Sequence, residues 1–113
     1  MNDIKLMNKA ADNIRILAAS MVEKAKSGHP GGAMGGADFV NVLFSEFLVY
    51  DPKNPAWEGR DRYFQDPGHM SPMLYSVLAL AGKFTIDELK EFRQWGSVTP
   101  GHPEVNVMRG ICL

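Results

Sequence analysis

The stretch KAKSGHPGGAMGGADF, residues 24–39, decides how the chain is read. It puts four glycines into the six positions 31–36, directly after a histidine and a proline. Strongly helical patterns flank it on both sides. Upstream, Ile4, Met7, Ala11, Ile14, Ala18, Met21 and Ala25 recur at alternating threes and fours, which keeps them on one helix face. The spacing predicts a helix over 4–25, with Lys24 and Lys26 near its negative end and Gly28 as a left-handed stop. Downstream, Phe39, Val40, Leu43, Phe44, Phe47 and Leu48 predict a helix over about 37–50 with a wide apolar face and Asp38 in its first turn or at its cap. Between the two, the pattern predicts exposed backbone around an imidazole.

Further along, YDPKNPAWEGRD reads as a loop, and residues 61–65, DRYFQ, are the one strand candidate. SPMLYSVLALAG then predicts a helix that is apolar nearly all round and hence buried, with Ser71 capping, Pro72 in the first turn and Gly82 as stop. TIDE, residues 85–88, is a capping-box pattern opening a short helix with Leu89, Phe92 and Trp95 turned inward and Gly96 closing it. The expectation is four helices and one or two short strands. One strand cannot form a sheet, so the pattern suits a helical domain or a piece of an α/β domain whose other strands lie elsewhere.

The 113 residues suffice for one small domain, and a net charge of −1 gives no basic footprint for nucleic acid. A single cysteine, Cys112, excludes an internal disulfide and suits a reducing cytosol. No apolar run has the length of a membrane span.

The three histidines share one context: Gly28-His29-Pro30, Gly68-His69-Met70 and Gly101-His102-Pro103. A glycine lets a ligand approach the backbone, and a neighbouring proline stiffens the bend. Together they point to one pocket lined by imidazoles on rigid supports, although Gly, Pro and His also gather in ordinary turns. A tris-histidine zinc site is one reading, without an HExxH or close His spacing to support it. Recognition of hydroxyls and anions is another, since imidazole donates and accepts and imidazolium pairs with phosphate. The glycine run is neither GxGxxG nor a phosphate-loop motif. Close packing of helices explains it as readily.

Three segments in order, KSGHPGGAMGGADFVNVLF, DRYFQDPGHMSPMLYSVLALAG and ELKEFRQWGSVTPGHPE, resemble the N-terminal part of transketolases. The resemblance implies an α/β thiamine-diphosphate-binding fold of which residues 1–113 are an incomplete N-terminal domain, with no second domain. It implies transfer of a two-carbon ketol unit from a ketose phosphate to an aldose phosphate. It further implies thiamine diphosphate with Mg²⁺ or Ca²⁺, a cytosolic homodimer, and sugar phosphates as partners, with neither nucleic acid nor membrane. Carried over by motif, His29 is a catalytic and substrate-binding residue, His102 binds substrate, and His69 contacts the cofactor. The family's metal-binding motif and the glutamate that activates the cofactor have no counterpart here, so no metal ligand is assigned and the chain alone is expected to be inactive. Two departures stand out: QDPGHMSP around His69, and the ending ICL where the family continues into a diphosphate-holding segment. The alternatives are one piece of a split transketolase completed in trans, and a non-enzymatic interaction module.

Overall fold

The computed structural model describes residues 2–111, and Cys112 lies outside them. Helix α1, Ile4–Ala25, is the backbone of the molecule. Asp3 caps it, its carboxylate accepting from the amides of Lys5 at 2.7 Å and Leu6 at 3.2 Å. Ala11, Ile14, Ala18 and Met21 are buried along one face, as the spacing predicts, while Ile4 lies beyond the core and is exposed. The left-handed stop falls on Lys26 (φ 53), not on Gly28. Gly28 adopts φ 127 immediately afterwards, and a Cβ there would lie 3.2 Å from both Phe92 and Val22. The glycine is needed for the bend that follows the helix rather than for the cap itself.

The polyglycine stretch is not exposed loop. It folds as helix α2, Pro30–Gly35, started by a proline whose missing N–H costs nothing in the first turn. Tertiary contact overrides poor helix propensity here. A Cβ on Gly32 would stand 2.8 Å from the Met70 side chain, and one on Gly36 would stand 2.6 Å from the Met73 sulfur. The two glycines therefore form a trough in which two methionines lie.

Helix α3, Ala37–Val42, continues into a wider π-helical turn, Leu43–Phe47, which ends with the Leu48 amide bonded to the Leu43 carbonyl at 2.9 Å. The predicted helix over 37–50 thus stops short. Only the line through Ala37, Val40 and Phe44 reaches the core; Phe39 and Phe47 are 67% and 69% exposed, because a helix at the surface buries only the strip that faces its neighbours. Asp38 sits in the first turn and receives Arg15 of α1 at 2.7 Å.

Residues 61–65 have no regular secondary structure and pair with no strand, so the strand expected there is absent. Their anchor is the contact of Asp61 with Val49, amide to carbonyl at 2.7 Å and amide to carboxylate at 2.8 Å. Among the described residues the one ladder element is an isolated antiparallel bridge between Asn106 and Ile111. The fold is mostly helical.

A 3₁₀ turn, Gly68–Met70, leads into helix α4, Ser71–Leu80, whose residues 71–78 are all buried against α1, α2, α3 and α5. Met70 occupies the cap position, and Ser71 is already inside the helix. Helix α5, Ile86–Lys90, carries the expected capping box, with Thr85 and Glu88 bonded reciprocally at 2.9 and 3.1 Å. Leu89 and Phe92 are buried, but Trp95 is fully exposed. The helix ends at Lys90 and the chain turns at Arg93 (φ 62), so helical spacing no longer governs Trp95.

Candidate functional site

The histidines occupy three different local settings. His29 is the residue before α2, extended at φ −126 and ψ 105. His69 lies in the 3₁₀ turn that runs into α4, after a cis Asp66–Pro67 peptide. His102 follows Gly101 in the bend beyond Thr99. The fold brings them together. The rings of His29 and His69 meet edge to face with centroids 4.8 Å apart. The Nδ1 atom of His102 lies 3.0 Å from the point a Cβ on Gly68 would occupy, so His102 rests on the turn that carries His69. At Gly68 it is the His102 ring that approaches the bare backbone, where the sequence pattern anticipates a ligand. His29 and His102 are exposed and His69 is half-buried, which leaves ring nitrogens accessible from outside.

The bend carrying His102 is held by two hydroxyls of α4. Ser71 Oγ donates to the Gly101 carbonyl at 2.6 Å, and Tyr75 Oη donates to the Pro100 carbonyl at 2.6 Å. Both side chains are fully buried. Burial raises the pKa of the Tyr75 hydroxyl far above its ordinary value, with the Glu104 carboxylate adding to the effect, so it remains a neutral donor at any working pH. Thr99, also buried, donates to the Glu88 carbonyl at 3.1 Å and so ties the bend to α5.

Reading for motifs overlooked Ser71 as a clamp, Tyr75, Thr99 and the pair Ser27 and Arg93, whose Nη1 and Oγ are 2.7 Å apart. The signal was present for α4. A helix apolar nearly all round that keeps a Ser and a Tyr four residues apart must give their hydroxyls partners once it is buried. The partners themselves lie in a segment that sequence spacing could not place opposite.

Among the described residues no cluster of three or more His, Cys, Asp and Glu side chains has the geometry to hold a metal ion. The three imidazoles therefore lack the mutual geometry of a zinc set. They do suit an organic partner rich in oxygen and nitrogen, to which accessible imidazoles both donate and accept.

Comparison with known proteins bears on this arrangement. The family described as "Transketolase, thiamine diphosphate binding domain" matches residues 6–113. The transketolase of Buchnera aphidicola subsp. Baizongia pistaciae is 51% identical over 107 residues, which cover 94% of this chain but 16% of that protein. The crystal structure of transketolase from Campylobacter jejuni superposes with a TM-score of 0.88 at 46% identity, over 97% of this chain and 17% of that one. A transketolase from Pichia stipitis in complex with sedoheptulose 7-phosphate superposes with a TM-score of 0.88 at 42% identity, over 93% of this chain and 16% of that one. The chain thus spans about one sixth of the length of the relatives it matches. Its mostly helical architecture is that of part of an α/β domain, which accounts for the missing sheet. With the family match, the sequence identity and the superposition all pointing the same way, the chain belongs to the transketolase family, within the thiamine-diphosphate-binding domain.

Proposed function

We propose that this chain carries the imidazole cluster of a ketol-transfer site. The reaction moves a two-carbon unit from a ketose phosphate to an aldose phosphate. The observation that supports this reading most is the convergence of His29, His69 and His102 from three separate segments onto one surface. The sugar-phosphate complex of the Pichia relative supports the substrate class.

His29 and His102, the exposed members, bind the sugar hydroxyls and phosphate oxygens of the substrate, and His29 moves a proton at a substrate hydroxyl. Imidazole suits both tasks because it exchanges protons near neutral pH and can donate at one nitrogen while accepting at the other. His69, half-buried between them, contacts thiamine diphosphate, which when bound supplies the carbanion chemistry. Residues 1–113 act as the leading part of a domain in a homodimeric, cytosolic enzyme. Mg²⁺ or Ca²⁺ is held by groups outside this chain.

Two experiments test the reading. The chain alone, assayed in a coupled system with a ketose phosphate, an aldose phosphate, thiamine diphosphate and Mg²⁺, gives no turnover above blank. A chimera in which residues 6–111 replace the matching segment of a transketolase relative transfers the ketol unit. The same chimera carrying His29→Ala loses roughly 10²-fold or more in kcat, the range for removal of a positioned acid–base group. A chimera as active with alanine as with His29 refutes the assignment.

A second reading, an interaction module, draws on Phe39, Phe47 and Phe64, which are 67%, 69% and 67% exposed. It requires concentration-dependent association of the chain in sedimentation, independent of ligand.

A further inference from the structure

Arg93 occupies an unusual place. Its backbone is left-handed at φ 62, a conformation that side-chain-bearing residues seldom take. Its amide donates to the Thr99 carbonyl at 3.0 Å, closing the turn between α5 and the His102 bend. The guanidinium then reaches across the molecule. Nη1 donates to Ser27 Oγ at 2.7 Å, and the group lies 5.8 Å from the centre of the Phe92 ring. Nε lies 2.9 Å from the point a Cβ on Gly101 would fill and 3.7 Å from that on Gly28. Gly28 immediately precedes His29, and Gly101 immediately precedes His102. One planar cation therefore fills the gap between the backbones that launch these two histidines, and both are glycine where it passes.

The arrangement has local costs. The backbone is in an unfavourable region, and the Arg93 Nε is buried without a hydrogen-bond partner. A residue that breaks two local rules at once signals a demand set elsewhere in the fold. The α4 hydroxyls of Ser71 and Tyr75 fix the His102 bend to the His69 turn, but they make no bond to the His29 segment. Arg93 supplies a hydrogen-bonded link from the His29 segment to the His102 bend, beside the packing of Met70 on Gly32.

We propose that Arg93, acting through Ser27, is the positioning residue that sets His29 relative to His69 and His102. The role rests on the reading of the three imidazoles as a functional cluster. Arg93 itself is not placed against substrate. Its work is to hold the 26–29 turn at a fixed distance from the 99–102 bend, so that the His29 ring meets the edge of His69.

The test is nuclear magnetic resonance of the chain, reading the cross-relaxation peak between the His29 and His69 rings and that between the His102 ring and the Gly68 α-protons. Ser27→Ala removes one end of the link while leaving Arg93 in place. It lowers the His29–His69 peak at least twofold and leaves the His102–Gly68 peak unchanged, and Ser27→Thr, which keeps a hydroxyl, restores the first. Arg93→Met lowers both. Both peaks unchanged in folded Ser27→Ala and Arg93→Met chains, even with a lower midpoint of thermal unfolding, would show a merely structural strut and overturn the proposal. Should Arg93→Met fail to fold, Ser27→Ala decides alone. A wild-type chain without the His29–His69 peak overturns the cluster and this role together. Because the peaks are read without turnover, an inactive chimera refutes the catalytic reading and leaves this test standing.

Discussion

The Nδ1 atom of His102 sits 3.0 Å from where the side chain of Gly68 would begin, so the histidine of one loop is seated on the bare backbone of another. That contact makes Gly68→Ala a selective probe. The new methyl group pushes the His102 ring away by a few tenths of an ångström or into another rotamer. The backbone of Gly68 is not left-handed, so the strain falls on the ring and not on the fold. The expected result is a folded protein with a thermal midpoint close to wild type and a displaced His102, read by crystallography.

The glycines of α2 and of its C-cap divide into two kinds. Gly31 and Gly35 face open space, whereas Gly32 and Gly36 receive Met70 and Met73. Alanine at 31 or 35 should stabilise the chain by about 0.5–1 kcal/mol through helix propensity and a less flexible unfolded state. Alanine at 32 forces Met70 aside and should cost about 1–3 kcal/mol, the usual range for overpacking. Urea denaturation of the three variants checks the opposite signs.

Ser71 and Tyr75 hold adjacent carbonyls of one bend, at 2.6 Å each. Ser71→Ala and Tyr75→Phe should each lower stability by about 1 kcal/mol, a typical net value for a hydrogen bond. The double variant should depart from additivity by at least about 0.5 kcal/mol, because both bonds restrain the same segment. A double-mutant cycle from urea midpoints measures the coupling.

Glu88 pairs with Arg109 at 2.6 Å and also bonds the Thr85 amide at 2.9 Å. Arg109 first, and then Thr85, lower its pKa below the ordinary 4.5. A carboxylate whose folded pKa is depressed adds stability above its unfolded pKa and loses it as pH falls through the folded value. The thermal midpoint should therefore fall as pH drops below about 4.5, and Glu88→Gln should flatten that part of the profile while lowering the midpoint at pH 7. Calorimetric midpoints between acid and neutral pH provide the check.

The sequence by itself determined a good deal. The heptad-like stepping of α1, the buried character of α4 and the capping box of α5 are local patterns, readable because hydrophobic period and cap chemistry act over a few residues. The three segments KSGHPGGAMGGADFVNVLF, DRYFQDPGHMSPMLYSVLALAG and ELKEFRQWGSVTPGHPE, in that order, were enough to identify the family. Other features were decided only when distant segments met. Glycines with poor helix propensity became α2 because Met70 and Met73 needed a surface without side chains. The 61–65 segment remained unpaired because nothing in the described chain lies beside it to form a ladder. Trp95 turned outward because Arg93 took a left-handed turn to meet Thr99. Above all, the meeting of His29 with His69, and of His102 with Gly68, depends on hydroxyls and a guanidinium that reach across long stretches of chain. Periodicity carries no information about such contacts, because their partners are fixed by the packing of whole helices and not by neighbouring residues.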